Sequence, residues 1–297
     1  MTRKRLTGMG VALVTPFTEA GEVDYVALDR LVQSQLDEGT AFLCVLGTTA
    51  ETPTLTTEEK RNVRKCVIDK VAGRLPILLG VGGNCTQSVV NTLRSWDFTG
   101  YDAILSVNPY YNKPNQEGLY RHFMAIAEAS PLPIVLYNIP GRTGVNMTPE
   151  TVARLVAASD RFIGIKEASG TVEQMERICQ SVGREFFLTS GDDGLTVEAV
   201  RRGGVGVLSV LAHLYPAQVK RLTDMANEGR YEEAEQLLEA LMPVTNSLFE
   251  EGNPVGVKTA LSTKGICGAT VRLPLAEGSE ALREKQIRLI AEYETAK

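Results

Sequence analysis

The sequence predicts an α/β protein, a closed (β/α)8 TIM barrel over residues 1–228 followed by a C-terminal helical extension over residues 229–297. Three observations carry this reading. Eight short apolar runs alternate with longer amphipathic segments, the order of a parallel barrel. Each run is nearly continuous rather than alternating, as strands covered on both faces are. After the eighth run, which ends at Val210, the chain reads as helix to its end.

The expected strands are Gly10–Val14, Phe42–Leu46, Leu75–Val81, Asp102–Val107, Pro133–Tyr137, Phe162–Ile165, Phe186–Ser190 and Val205–Val210. Between them, Asp24–Glu38 carries Leu28, Leu31, Val32 and Leu36 at helical spacing and stops at Gly39. Thr56 with Glu59 makes a capping-box start to a helix running to about Ala72. Thr86–Trp96, Gln116–Ala129, Pro149–Ala158, Val172–Ser181 and Gly194–Arg202 follow the same plan. Pro149 suits a first turn, where a missing N–H costs nothing. Tyr215–Asn227, Tyr231–Phe249, Pro254–Thr263 and Glu277–Thr295 complete the expected helices, with a break at Gly229. A doubly wound open sheet is the rival. It uses fewer strands and opens on a Gly-rich turn, whereas the first strand here ends in Thr15-Pro16-Phe17.

Composition narrows the function classes. With 297 residues, 43% hydrophobic and 23% charged, the chain can bury a large core. A formal net charge of −5 offers no basic surplus for nucleic acid or an anionic membrane surface. The basic start from Thr2 to Arg5 precedes a run broken by Gly8, Gly10 and Pro16, which does not fit a signal peptide. No window approaches the roughly 18 apolar residues of a membrane span. Five scattered cysteines with no CxxC pair point to a reducing cytoplasm and away from disulfides and zinc. The two histidines, His122 and His213, make a histidine metal site or a Ser-His-Asp triad a poor fit. His122 reads as a surface or packing residue, and His213 as a residue that could support a site.

In such a barrel the chemistry sits at the carboxyl ends of the strands. There the sequence places Thr48 and Thr49 after strand two, Tyr110 and Tyr111 after strand four, Tyr137 and Arg142 after strand five, and Lys166 at the end of strand six. Gly191 follows strand seven. An ammonium drawn out of water favours its neutral form, and a neutral amine condenses with ketones. A phenol bonded to a hydroxyl can move the protons of that condensation. Neighbouring Thr hydroxyls and backbone N–H groups hold a small carboxylate, and an arginine holds a second one with two parallel bonds. Gly191-Asp192-Asp193 would repel a phosphate. Singly, each residue also fits a bland role; their shared barrel face is what favours chemistry.

Gly10–Phe17, Gly47–Glu51, Tyr137–Pro140, Gly164–Ala168, Asn253-Pro254, Val257-Lys258 and Arg272–Pro274 together resemble the pyruvate-dependent class I lyase family, which includes N-acetylneuraminate lyases and 2-keto-3-deoxy-sugar aldolases. The segments Asn108–Pro114 and Gly141–Gly144 resemble its dihydrodipicolinate synthase branch, because the sugar-acid lyases usually lack the arginine found here as Arg142. The resemblance implies that Lys166 forms a Schiff base with pyruvate. It implies Tyr137 as proton relay, Thr48 as its hydrogen-bonded link and Tyr111 as the third member, inserted from a neighbouring subunit. Thr49, Gly191 and Leu208 would surround the pyruvate, and Arg142 would bind the carboxylate of L-aspartate-4-semialdehyde. It further implies a homo-oligomer, a dimer of dimers in the family's usual pattern of tetramers, with no cofactor and no metal. Members inhibited by lysine tend to carry histidines where Thr57 and Lys60 stand and a glutamate where Ser88 stands, while Asn84 and Tyr110 are kept. Weak or absent inhibition by lysine is therefore expected. The rival functions are a sugar-acid aldolase and a non-catalytic keto-acid sensor.

Overall fold

A computed structural model describes residues 6–296; the basic start at residues 2–5 lies outside them. Eight parallel strands close in sequence order: β1 (Gly8–Ala12), β2 (Phe42–Val45), β3 (Ile77–Gly80), β4 (Ala103–Val107), β5 (Ile134–Asn138), β6 (Phe162–Glu167), β7 (Phe187–Ser190) and β8 (Gly206–Ser209), with β8 pairing back onto β1. The helices are α1 (Tyr25–Asp37), α2 (Thr57–Val71), α3 (Thr86–Ser95), α4 (Gln116–Ala129), α5 (Pro140–Thr143), α6 (Pro149–Ala158), α7 (Val172–Ser181), α8 (Thr196–Arg201), α9 (Pro216–Asn227), α10 (Tyr231–Ser247), α11 (Val255–Thr263) and α12 (Glu280–Thr295).

The capping chemistry is that written in the sequence. Thr56 Oγ1 accepts from Glu59 N at 3.1 Å, and Glu59 Oε2 accepts from Thr56 N at 2.8 Å. Asp24 and Asn115 accept in the same way from Ala27 N and Gly118 N at the starts of α1 and α4. Each such cap stabilises its helix by about 1 kcal/mol.

Alternate strand residues face opposite ways, and both faces are buried. Phe42, Cys44, Leu78, Leu105, Tyr137 and Leu208 belong to one inner cluster, while Leu43, Val45, Ile77 and Leu79 pack outward in the helix-facing core. The lower end of the bore is filled by aromatic rings lying over glycines. A Cβ at Gly10 would sit 2.4 Å from the Phe42 ring, and one at Gly164 would sit 2.6 Å from the Phe187 ring. The helix α9 packs on β1 and β8, Gly229 turns the chain at φ 81°, and α10 to α12 pack on one another beside α8 and α9.

Some boundaries differ from expectation for physical reasons. β1 starts at Gly8 and ends at Ala12, two residues before the apolar run does. Leu13 and Val14 are buried past the ladder, where Leu13 N reaches Cys44 O at 3.0 Å and Val14 N reaches His213 Nε2 at 3.1 Å. Hydropathy reports burial, not pairing. β6 continues through Lys166 to Glu167, since a buried lysine can occupy a ladder position that a hydropathy reading stops at. Short helical turns at Thr48–Ala50, Thr52–Thr54, Asp193–Leu195 and Leu211–His213, together with α5, fill the loops at the strand ends. Among the described residues no helix is long and apolar enough to cross a membrane.

Candidate active site at the carboxyl end of the barrel

Lys166 points into the bore from β6 and is 6% exposed. Strand register sets it beside Tyr137 of β5. Its Nζ lies 4.4 Å from the centroid of the Tyr137 ring, an approach that a ring face favours for a cation. Gly191 closes the other side. A Cβ there would meet Lys166 Cε at 2.8 Å and Ala168 Cβ at 2.7 Å, so only glycine leaves the lysine its path. Gly191→Ala is expected to lower kcat at least about tenfold by displacing the amine, because errors near 1 Å at a reacting group are costly; steady-state kinetics on the folded variant check this. Cys44 stands in the same inner cluster, and burial pushes its thiol up to about 12, so it packs as a neutral group and offers no rival nucleophile.

The loop after β2 is built from one turn of helix at Thr48–Ala50, closed by Glu51 with left-handed backbone at φ 52°. Thr15 Oγ1 donates to Ala50 O at 2.8 Å and Thr52 Oγ1 to Gly47 O at 2.9 Å. One residue from the C-terminal extension completes the loop. Asn253 Nδ2 donates to Thr49 Oγ1 at 3.0 Å, and the Asn253 carbonyl accepts from Arg142 Nη2 at 2.9 Å. One residue of the extension thus touches both groups expected to hold carboxylates.

Beneath the loop, Lys258 and Glu51 form a fully buried ion pair at 2.5 Å. Lys258 Nζ also donates to Thr270 O at 2.9 Å and stands 3.9 Å from the centroid of Phe17. Glu51 Oε2 accepts from Arg272 N at 2.9 Å, and the Arg272 side chain forks onto Glu59. Burial pushes the Lys258 ammonium below its ordinary value, and Glu51 opposes that shift.

A cavity of about 600 Å³ opens over these groups. Thr48, Tyr137, Arg142 and Asn253 line it, and it extends past Tyr110 and Asn84 to Lys60 and Ser88. Lys166 adjoins it through Tyr137, Thr49 through Asn253, and Leu208 shares the inner cluster with Tyr137. Tyr111 is not brought there: it is 88% exposed on left-handed backbone at φ 76°. A slightly larger groove, about 680 Å³, lies between α9, α10 and α12 and receives no side chain from the strand ends.

Two expected roles change, those of His213 and Asp193, while His122 keeps its expected one. His213 braces two loops, its Nδ1 bonded to Val210 O at 2.8 Å and its Nε2 to Val14 N, and burial holds it neutral by lowering it to about 4. His122 is a packing residue against Thr86 Oγ1 at 2.9 Å. The Asp193 carboxylate does not face the mouth. It is buried and accepts from Ser209 Oγ, from Val210 N at 2.9 Å and from Leu211 N at 3.1 Å, so it fastens the loop after β8 to the loop after β7. Sequence reasoning did not single out Asn253, Lys258 and Glu51 as site-forming groups. Two signals were available: Lys258 is a charge within the otherwise buried Val255–Leu261, and all three residues lie in segments that carry the family resemblance.

Known proteins match this chain over nearly its whole length. The dihydrodipicolinate synthetase family matches residues 5–293. A 4-hydroxy-tetrahydrodipicolinate synthase of Phocaeicola vulgatus is 50% identical, with 98% of each chain covered. One from Parabacteroides distasonis is 52% identical, with 91% of each covered. Among solved structures, the chloride-inhibited dihydrodipicolinate synthase of Acinetobacter baumannii complexed with pyruvate superposes with a TM-score of 0.94 at 37% identity, covering 97% of this chain and 99% of that one. With barrel, buried lysine and loop chemistry in agreement, this chain belongs to the dihydrodipicolinate synthetase family.

Proposed function

We propose that the chain is a 4-hydroxy-tetrahydrodipicolinate synthase, a lyase of the diaminopimelate route to lysine, that condenses pyruvate with L-aspartate-4-semialdehyde. The observation that carries the reading is Lys166, buried in the bore against the Tyr137 ring beneath a cavity that Thr48 and Arg142 line. The relatives' shared name and the pyruvate complex of the Acinetobacter baumannii enzyme support it.

Lys166 Nζ adds to the pyruvate ketone, and the carbinolamine loses water to give an iminium. Loss of a methyl proton gives the enamine, whose carbon attacks the aldehyde. The amino group of the second substrate then adds to the iminium carbon and Lys166 leaves as the ring closes. Tyr137 passes protons in these steps, with Thr48 and Tyr111 as its relay. Thr49, Gly191 and Leu208 surround the pyruvate, and Arg142 holds the aldehyde's carboxylate as a paired fork. Tyr111, exposed on its own chain, reaches the site of a neighbouring subunit, which makes the working form a homo-oligomer, a dimer of dimers, in the cytoplasm. Residues 1–228 form the catalytic barrel, and residues 229–297 the extension that seats its second loop.

The test is intact mass after pyruvate and borohydride, followed by a coupled assay with L-aspartate-4-semialdehyde. One reduced pyruvyl adduct per chain and turnover of that aldehyde support the reading; absence of the adduct refutes the Schiff base, and turnover of sugar acids alone refutes the substrate. Lysine should not half-inhibit the enzyme below millimolar concentration, because the Lys60 ammonium lines the far part of the cavity and Ser88 supplies no carboxylate there. Initial rates across a lysine titration check this.

A further inference from the structure

Behind the reacting residues, on the outer face of the same strands, lies a belt of polar groups with no water access. Glu167 follows Lys166 on β6, Asn138 follows Tyr137 on β5, and Asn108 follows the last residue of β4. All three are 0% exposed. The Glu167 carboxylate receives Asn138 Nδ2 at 3.1 Å and 3.0 Å on its two oxygens, Ser169 N at 2.7 Å and Gln174 Nε2 at 3.1 Å, with the Ser169 hydroxyl close by. No cation is among these partners. Asn138 Oδ1 accepts from Asn108 Nδ2 at 2.8 Å and from Met147 N at 2.9 Å. Because a backbone N–H can only donate, Met147 fixes which end of the Asn138 amide faces Glu167.

The belt runs one residue out of step with the reacting groups. Tyr137 pairs with Lys166 in the ladder, and Asn138 pairs with Glu167 next to them. Ala168 N donates to Asn138 O at 2.9 Å, and Asn108 N donates to Tyr137 O at 3.0 Å. A rotation of β6 about its axis would move Lys166 on the inside and Glu167 on the outside together, since successive side chains point to opposite faces.

We propose that Glu167, clamped as an acceptor by Asn138, Ser169 and Gln174, is the positioning residue that sets the angle at which Lys166 enters the bore over Tyr137. This rests on the reading of Lys166 as the Schiff-base lysine. Burial raises Glu167 from its ordinary value, and the N–H groups directed at it oppose that shift. Every partner at the carboxylate is a donor, so an amide in its place turns an –NH2 against the donors on one oxygen and loses half of the clamp at unchanged size. The belt therefore selects a carboxylate where a neutral isostere would fill the same volume.

The experiment compares wild type, Glu167→Gln and Gln174→Leu as full chains, by the rate and the amplitude of pyruvate adduct trapped with borohydride, together with KM for pyruvate and kcat. Gln174 lies on α7 and its change removes one donor from Glu167, along with the Gln174 bonds to Asn146 and Met147 O, while leaving the β6 sequence intact, so it serves if Glu167→Gln does not fold. The expected result is full amplitude with the trapping rate constant and kcat lowered in parallel, about tenfold for Glu167→Gln and about threefold for Gln174→Leu, while KM changes less than about twofold. A belt that only supports the fold would lower the amplitude and leave the rate constant of the surviving sites unchanged, and that result overturns the proposal. Wild type that traps no adduct at all overturns the Schiff-base reading itself, and the proposal with it. Trapping by wild type with variants equally fast overturns the proposal alone.

Discussion

Lys166→Ala is expected to abolish the borohydride-trapped pyruvate adduct and to lower turnover by at least about a thousandfold, the scale on which loss of a covalent nucleophile is felt. Lys60, another amine lining the cavity, stands in its far part, away from Tyr137. The other buried amine named here, Lys258, is held by Glu51 and the Thr270 carbonyl beneath the second loop. Cys44 stays a thiol because burial raises it to about 12. The variant should fold: removing a buried amine relieves a desolvation cost and leaves a space of a few methylenes beside Tyr137. The measurements are intact mass after trapping and kcat in the coupled assay, with circular dichroism to establish the fold. An adduct of equal yield on the alanine variant would place the reacting amine elsewhere.

Lys258→Met should be the most destabilising single change at the site. It leaves Glu51, fully buried, with backbone N–H support from Arg272 but no cation bonded to it, since the Arg272 guanidinium is forked onto Glu59. Breaking a buried pair from one side costs about 3–5 kcal/mol, which in a chain of this size shifts the melting temperature by on the order of 10 °C. Activity falls too, because Glu51 ends the turn that carries Thr48 and Thr49. Pairing the change with Glu51→Gln removes the stranded charge and should recover more than half of the lost stability. Denaturant titrations of the two single variants and the double variant measure the coupling. Additive losses would mean that the pair is not the anchor.

The barrel was legible because its signals are local. A strand covered on both faces needs apolar residues at successive positions, and the eight runs supply them. Gln116–Ala129, Pro149–Ala158 and Val172–Ser181 are helices at the expected residues, since each carries an amphipathic stripe bounded by a polar stop. Lys166 and Tyr137 were legible as polar groups at the ends of such runs. What stayed hidden has no local signal. Nothing near Glu51 announces that Lys258 will meet it, and the carbonyl of Asn253 says nothing about Arg142 until the chain is folded. The orientation of Asp193 was likewise out of reach, because its partners Ser209, Val210 and Leu211 lie on the next strand and its loop.

The contacts from the extension to the second loop also fix when the protein can begin to work during its synthesis. Asn253 meets Thr49 across 204 positions, Lys258 meets Glu51 across 207, and Arg272 N meets Glu51 across 221. Translation delivers the loop early and its anchors late. A ribosome that has released Lys166 into solution has produced the amine proposed to react, but not the residues that hold Thr49 and Arg142 in place. Chains interrupted before residue 253 carry the amine without these anchors, and contacts so distant in sequence carry a high cost of loop closure, which slows folding.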